Sequence, residues 1–283
     1  MIPIITSIKI VVTFQDRDAT VRITIKMIRW LKLPQMKNIL NVYTPAANLA
    51  YAKVIQAKPY LKKIYTDFYN RFKKSICGDT ANKLLVELGS GAGFIKEIIP
   101  NVVTSDIVKI PNTDRHFSAL DMPFEDNTVD AYFMINVMHH VNDVRAFFGE
   151  VNRCLKVGGK VVMIEPANTS WSRFVYRNFH HERFDPWAGW KSETDDPLFS
   201  ANSAVPWIVF YRDRQKFERE FPALEIINLV PHTPLRYLIS GGFFVRQLLP
   251  SCTYEAVQGI ERLLTPFNKH LGMFLTIEIE KYR

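Results

Sequence analysis

The chain has 283 residues, 47% of them hydrophobic, and a formal net charge of +8. That length allows one large domain or a core domain with appendages, and the composition is ordinary for a globular protein. Three widely separated cysteines, Cys77, Cys154 and Cys252, match no metal-ligand or redox spacing. No apolar run reaches the about 18 residues of a membrane-spanning helix. We therefore expect a reduced, cytoplasmic protein.

The positive charge is concentrated at the start of the chain. Residues 1–80 hold 14 Lys/Arg and 4 Asp/Glu, whereas residues 81–283 hold 22 and 24. A near-neutral body argues against a basic nucleic-acid groove, so no nucleic-acid partner is expected. The basic leading segment predicts peripheral contact with the inner face of an anionic membrane, and a solvated basic face without a partner is the alternative.

Two segments precede the most informative motif. Residues 1–44 are interpreted as an N-terminal extension, with strands predicted at 8–14 and 21–25. Apolar residues at three- and four-residue steps predict helix over residues 46–76, and Pro59 predicts a break into two helices or a kink. Tyr65 and Tyr69 are candidates for a lid over the site, with core packing as the alternative.

The motif itself lies at residues 84–93, Leu-Leu-Val-Glu-Leu-Gly-Ser-Gly-Ala-Gly. An apolar strand leads into alternating glycines, whose bare backbone lets main-chain N–H groups approach a ligand. Phe94 occupies the position of the third glycine of a dinucleotide fingerprint, and no Gly-Lys-Ser/Thr of a P-loop follows. Glu87 would repel a pyrophosphate and attract an ammonium group. The charge pattern therefore favours S-adenosylmethionine (SAM) over NAD.

The next strand, predicted at 102–106, ends on Asp106. A carboxylate at that point can accept hydrogen bonds from both hydroxyls of a ribose. The alternative is a loop acid or a helix cap.

The sequence from 84 to 166 resembles the class I SAM-dependent methyltransferases of the small-molecule, type-11 kind. The matching segments, in order, are 86–93, 105–106, 119–124, 130–141 and 153–160. The resemblance implies SAM as cofactor and a Rossmann-like α/β fold. That fold has a seven-stranded, mostly parallel sheet with helices on both faces, an N-terminal helical lid and a C-terminal acceptor-binding cap.

Strand and helix patterns alternate from residue 84 onward, as a parallel sheet requires. Strands are predicted at 84–88, 102–106, 116–119, 130–135 and 160–165, and helices at 94–100 and 143–155. By resemblance, 224–229 and 273–279 are the sixth and seventh strands, the last antiparallel. Residues 45–283 form the methyltransferase domain, with a cap insertion at 167–223 and a helical part at 232–268.

The resemblance also implies a set of cofactor-binding residues: Glu87, Gly89, Ser90, Gly91, Gly93, Asp106, Asp121, Met122 and Asn136. Asp121 would meet the adenine amino group, Met122 would pack on the adenine ring, and Asn136 would lie against the methionine part. An acidic turn before Pro123 is the alternative for Asp121.

Candidate catalytic residues come from two histidine-containing segments. His139 and His140 follow the predicted fourth strand and either shape the site or act as a base, because histidine titrates near neutrality. His181 and Glu182 are favoured in the second segment for acceptor binding or proton abstraction. A solvated helix end is the alternative, and no metal is expected, because the spacing fits no standard zinc pattern.

The insertion is rich in aromatic residues and contains three arginines, Arg173, Arg177 and Arg183, which could grip a phosphate or carboxylate. The cap faintly resembles bacterial methyltransferases of cell-surface polysaccharide or lipid assembly. We therefore expect methyl transfer to a small molecule, with O-methylation of a glycan, glycolipid or lipid-linked intermediate as the acceptor hypothesis. The alternatives are an RNA methyltransferase and a non-catalytic SAM-fold interaction protein. The oligomeric state stays open.

Overall fold

The structure is a computed structural model that describes residues 13–16, 19–22, 33–36, 44–76, 78–111, 113–180, 182–192 and 201–283. Its strands are β1 (Thr13–Asp16), β2 (Ala19–Arg22), β3 (Leu85–Glu87), β4 (Val103–Asp106), β5 (Arg115–His116), β6 (Val129–Ile135), β7 (Leu155–Pro166), β8 (Leu224–His232) and β9 (Phe274–Lys281). The first two pair with each other, antiparallel, in a separate small sheet.

The α-helices of the same residues are α1 (Pro45–Ala57), α2 (Pro59–Ser75), α3 (Val144–Cys154), α4 (Ser170–Phe179), α5 (Val205–Trp207), α6 (Arg214–Glu220), α7 (Arg236–Ser240), α8 (Tyr254–Leu263) and α9 (Asn268–Leu271). Single 3₁₀ turns occur at Pro34–Met36, Ile95–Glu97, Met138–His140, Ser251–Thr253 and Thr265–Phe267, and a π turn at Ile208–Arg212. In the described part of the chain, no helix has the length and apolar character needed to cross a membrane.

Seven of the described strands form the main sheet, in the order β5-β4-β3-β6-β7-β9-β8. Strands β5, β4, β3, β6 and β7 are parallel to one another, whereas β9 is antiparallel to both β7 and β8. This arrangement confirms the predicted Rossmann-like sheet and its antiparallel last strand. It brings the carboxyl ends of β3, β4, β6 and β7 to one edge, where ligands bind in open α/β sheets.

Helices cover both faces of the sheet. Successive side chains of a strand point to opposite sides, so the central strands present apolar side chains to the helices on each face. On β6, Phe133 joins the apolar cluster under α2, whereas Tyr132 and Met134 join the cluster under α3. The rings of Phe72 and Phe133 stack with centroids 4.9 Å apart, which fixes α2 on the sheet. The side chains on both faces of the central strands are therefore buried, as the near-continuous apolar runs predicted.

The N-terminal helices break at Pro59 into two, as predicted. Thr44 caps α1 by accepting a hydrogen bond from the Ala47 N–H at 3.1 Å. Between the helices, buried Lys58 donates from Nζ to the carbonyls of Gly242 and Val245. These bonds attach the helix pair to the C-terminal part of the chain.

A buried ion network makes a second connection between the same parts. Arg236 of α7 donates from Nη1 to Asp67 Oδ2 of α2 and to the Tyr254 hydroxyl of α8, both at 2.6 Å. Its Nε donates to Glu261, whose other oxygen accepts the Arg236 main-chain N–H at 2.7 Å. The side chains of Arg236 and Glu261 are 8% and 6% exposed, so this pair is buried, whereas Asp67 lies at the edge of the network with 34% exposure.

Some predicted boundaries were wrong. The helix predicted at 94–100 is only the 3₁₀ turn Ile95–Glu97, because the nine residues that join the glycine turn to β4 are too few for a packed α-helix and its connections. The third strand has two residues, Arg115–His116, instead of the predicted 116–119. The strands predicted at 8–14 and 21–25 lie mostly outside the described residues, and β1 and β2 overlap them only at Thr13, Phe14, Val21 and Arg22.

Candidate active site

The glycine turn after β3 has a backbone that only small residues fit. Gly89 has φ +64° and Gly91 has φ +47°, in the left-handed region. A Cβ on Gly89 would lie 2.5 Å from a methyl carbon of Val137. Two hydrogen bonds hold the turn against β4: Ser90 N–H to the Ser105 carbonyl, and the Ser105 hydroxyl to the Glu87 carbonyl, both at 2.8 Å. The turn is therefore a rigid cradle with an open side.

Asp106 ends β4 directly beside this cradle. Its Oδ2 accepts the Gly91 N–H at 3.0 Å, and its Oδ1 accepts the Val108 N–H at 2.8 Å. Burial raises the pKa of its carboxyl group, and these main-chain hydrogen bonds act in the opposite direction. Each carboxylate oxygen still has a second lone pair that a ribose hydroxyl can use.

Glu87 lies beneath the turn and is 2% exposed. Its Oε2 is buried and has no hydrogen-bond partner among the described residues. Burial raises the pKa of this carboxyl group to about 8, although hydrogen bonds from Ser90 and Tyr69 lower it. A buried acceptor without a donor is costly, so this atom suits a cationic donor such as the ammonium group of SAM.

Tyrosines from α2 close the other side of the turn. The Tyr69 hydroxyl accepts the Phe94 N–H at 3.3 Å. Tyr65 forms a side-chain hydrogen bond with Asn136, which follows β6 with φ +55°, an uncommon conformation for a residue other than glycine. Both predicted lid tyrosines are buried, and both touch the predicted cofactor site.

Asp121 and Met122 are neighbours in the sequence but have different surroundings in the structure. Asp121 is exposed, whereas Met122 is 2% exposed and packs into the core cluster under α3. The Met122 N–H donates to Glu150 Oε2 at 2.8 Å. Asp121 is thus accessible to a ligand, while Met122 is held by the core beneath it.

His139 lies between two carboxylates at the carboxyl ends of β6 and β7. Its Nδ1 is 2.6 Å from Glu165 Oε2, and its Nε2 is 3.2 Å from Glu182 Oε2. Although burial lowers the pKa of His139, the charges of Glu182 and Glu165 raise it to about 10. Glu165 also accepts the main-chain N–H groups of Val137 and Met138, at 2.7 and 2.8 Å. Both ring nitrogens thus face a carboxylate, which fixes the orientation of the imidazole and favours its protonated form in the absence of other ligands.

Glu182 joins the insertion to the sheet edge. Its Oε1 lies 3.7 Å from His140 Nε2, and its Oε2 accepts a hydrogen bond from Ser203 at 3.0 Å and lies 3.7 Å from His180 Nδ1. Although burial raises its pKa, the neighbouring histidines lower it well below the usual range. The structure thus brings together predicted residues His139, His140 and Glu182. His181 lies outside the described residues.

Three further tyrosines belong to this interior, and sequence reasoning missed them. Burial raises the pKa values of Tyr51, Tyr176 and Tyr237, and the charge of Glu182 raises each of them further. Tyr237 in turn raises the pKa of Tyr65, which hydrogen-bonds to Asn136. These tyrosines therefore connect the Glu182 region with the glycine-turn region. They come from three distant segments, so no local pattern marks them.

Comparisons with known proteins agree with this geometry. The family model of the methyltransferase domain matches residues 86–163, the segment that contains the glycine turn, Asp106 and the His139–His140 turn. This segment is a methyltransferase domain. The prediction of a methyltransferase fold is thereby confirmed for that segment.

A curated relative, the demethylmenaquinone methyltransferase of Symbiobacterium thermophilum, is 33% identical over 107 residues. The match covers 38% of this chain and 36% of the length of that relative. Solved structures similar to this chain include geranyl diphosphate C-methyltransferase of Streptomyces coelicolor A3(2), with 17% identity, a TM-score of 0.45, and coverage of 78% of this chain and 82% of that one. Phosphoethanolamine N-methyltransferase 2 of Haemonchus contortus has 14% identity, a TM-score of 0.46, and coverage of 87% and 59%.

Proposed function

We propose that the protein transfers the methyl group of SAM to a small-molecule acceptor bound beneath the cap. The observation that carries this proposal is the unpaired, buried Oε2 of Glu87 beside the glycine turn. It lies at the sheet edge that also holds Asp106 and the His139–Glu182 cluster. A site for a cation-bearing nucleoside thus shares this sheet edge with a polar cluster that joins the His139–His140 turn to Glu182 of the insertion.

In this proposal the residues of the domain bind and orient the cofactor. Glu87 accepts the ammonium group, Asp106 accepts the ribose hydroxyls, and exposed Asp121 meets the adenine amino group. Asn136 lies against the methionine part, with its amide oriented by Tyr65. The cofactor supplies a methyl carbon on a sulfonium, which leaves as a neutral thioether when the acceptor attacks in line. Alignment of the two reactants is the main contribution such a site makes.

An oxygen acceptor must also lose a proton. His139 is a poor recipient, because carboxylates hold both of its ring nitrogens. Its role in this proposal is to orient Glu182. His140, whose side chain is 24% exposed, and Glu182 are the groups proposed to take up the proton. His181 stays a candidate in the same segment of the cap.

The acceptor is proposed to carry a lipid chain. Apolar side chains are exposed along the insertion: Phe174 is 51% exposed, Phe179 45% and Trp187 86%. Arg173 and Arg177 are exposed on the same helix, α4. Exposed aromatics beside arginines suit a membrane surface with anionic headgroups. A glycolipid or lipid-linked phosphate therefore fits as acceptor, and peripheral membrane contact fits the same surface.

A second acceptor class comes from the curated relative. Its name specifies a demethylated menaquinone, a ring compound with a lipid tail, and it matches this chain over 107 residues. Methyl transfer to carbon would need an ionised ring hydroxyl, which His140 or Glu182 could produce. Both acceptor classes are lipid-tailed, so the exposed aromatics suit either of them.

Methyl-labelled SAM tests these proposals. The protein is incubated with a lipid-linked glycan, a demethylated menaquinol and a structured RNA, and the labelled product is identified by mass. We expect label in one of the two lipid-tailed acceptors, strongly reduced in Glu87→Gln and unchanged in the exposed matched control Glu218→Gln. Label in the RNA would favour the RNA methyltransferase alternative. No label despite SAM binding would refute both lipid-tailed acceptors.

A further inference from the structure

The cluster of His139, His140 and Glu182 has the composition and geometry of a metal site. One ligand atom of each residue lies within 4.8 Å of the others. The two imidazole rings are 4.2 Å apart between centroids. His139 Nε2 is 3.2 Å from Glu182 Oε2, and His140 Nε2 is 3.7 Å from Glu182 Oε1. Both imidazoles thus direct Nε2 toward the same carboxylate.

These separations match the edges of a coordination polyhedron. Bonds of about 2.1 Å from zinc to nitrogen or oxygen place neighbouring ligand atoms about 3.0 Å apart in an octahedron and about 3.4 Å apart in a tetrahedron. The two nitrogen-to-oxygen distances, 3.2 and 3.7 Å, lie close to these values, and a bound ion would draw in the ligand atoms of the three residues, which are within 4.8 Å of one another. Two imidazoles and one carboxylate leave at least one position open, as catalytic zinc sites and two-histidine-one-carboxylate iron sites do.

The surroundings of His139 support the same assignment. A ligating histidine usually donates its other ring N–H to a carboxylate, which fixes the tautomer. Glu165 takes that place, with Oε2 at 2.6 Å from His139 Nδ1 and Oε1 bonded to the turn backbone. Glu165 is fully buried, so the orientation of the ring is rigid.

We propose that His139, His140 and Glu182 bind one divalent first-row metal ion, such as Zn²⁺, with an open position for an acceptor oxygen. The metal would lower the pKa of an acceptor hydroxyl. Because His140 and Glu182 would then be ligands and not proton acceptors, the proton would leave to solvent water, and the oxygen lone pair would attack the methyl carbon as the carbon–sulfur bond breaks. The acceptor role rests on the proposed function, whereas metal binding does not. The expectation of no metal rested on sequence spacing, and Glu182 lies 42 positions after His140.

The simpler reading is a salt bridge that attaches the cap to the sheet edge, with His139 as a permanent cation. The two readings differ in a measurable way. A protein stripped with a chelator is titrated with Co²⁺ and followed by visible absorption, and Zn²⁺ binding is measured by calorimetry and metal content after dialysis. A site of this type predicts one metal ion per chain and ligand-field bands that appear with the same stoichiometry.

Variants connect the bound metal to this cluster. His140→Ala and Glu182→Gln should each weaken Zn²⁺ binding at least tenfold, because even changes outside the ligand set cost 10- to 100-fold in affinity. His270→Ala, an exposed histidine of α9, should bind as the wild type does. Circular dichroism shows whether each variant is folded, and the Co²⁺ spectrum of the wild type needs no variant.

Absence of stoichiometric metal from the wild type, or unchanged affinity in both folded variants, would overturn the metal site and leave the salt bridge. SAM titration of the same samples separates this result from the proposed function. Metal binding without SAM binding would overturn the methyltransferase proposal alone. SAM binding without metal would overturn the metal site alone.

Discussion

Glu87→Gln should stabilise the ligand-free protein while it weakens SAM binding. The wild-type carboxyl group is 2% exposed, and its Oε2 has no partner in the described part of the chain. The ionisable groups that affect its charge are Tyr69 of α2 and Asp106 of β4. Neither supplies a positive charge, so the ionised form is destabilised by burial. Glutamine has nearly the same shape and does not ionise.

The magnitude follows from the shift of the pKa from 4.5 to about 8. Each unit corresponds to about 1.4 kcal/mol, so the fully ionised group destabilises the fold by about 5 kcal/mol. The folded state holds this proton more tightly than the unfolded state does. Its contribution is therefore fully present below pH 4.5, declines as the pH rises, and is lost above about 8. Between pH 5 and 9, the stability gained by the variant should grow by about 4 kcal/mol.

Urea unfolding of both proteins at pH 5, 7 and 9 measures this difference. Exposed Glu218→Gln serves as the control and should change stability by less than about 0.5 kcal/mol at every pH. Parallel pH profiles for wild type and Glu87→Gln would refute the reasoning, since they would mean that Glu87 has an ordinary pKa in the folded protein. An unchanged SAM affinity in the variant would refute the role of Glu87 as the ammonium acceptor.

Two further predictions concern the glycine turn and the buried ion network. Gly89→Ala should lower the free energy of unfolding by about 1–3 kcal/mol and remove most of the SAM affinity, because φ +64° and the approach of Val137 exclude a Cβ. The control Gly149→Ala, at an exposed position of α3, should raise the free energy of unfolding by about 0.5–1 kcal/mol. Thermal unfolding and SAM titration test both, and equal effects would contradict the cradle. Arg236→Met should cost about 3–5 kcal/mol in urea unfolding, because it leaves the buried carboxylate of Glu261 without its cation. Exposed Arg214→Met should cost under about 0.5 kcal/mol, and similar losses in both variants would contradict a buried ion pair.

The cofactor side of the site could be predicted from the sequence because its signals are local. Glu87 and Asp106 each end a short buried strand, and parallel strands bring their carboxyl ends to one edge. Residue type and position along a strand were therefore enough to place these side chains near one another. Asn136 follows the predicted fourth strand, and the family resemblance implied its place in the site.

The acceptor side could not be predicted in the same way, because its contacts join distant segments. Glu165 ends the predicted fifth strand, yet only the fold shows that it supports the His139 turn. Tyr51 and Tyr237 come from α1 and α7, whose packing depends on bonds such as those of Lys58. The length of the helix after the glycine turn was wrong because apolar spacing does not distinguish a 3₁₀ turn from an α-helix.

Calorimetric titration of the purified protein with SAM tests the central claim most directly. We predict one SAM per chain, with binding strongly weakened in Asp106→Ala and Glu87→Gln and retained in Glu218→Gln. Absence of SAM binding by the folded wild type, or equal affinity in all four proteins, would contradict the cofactor site described at the glycine turn.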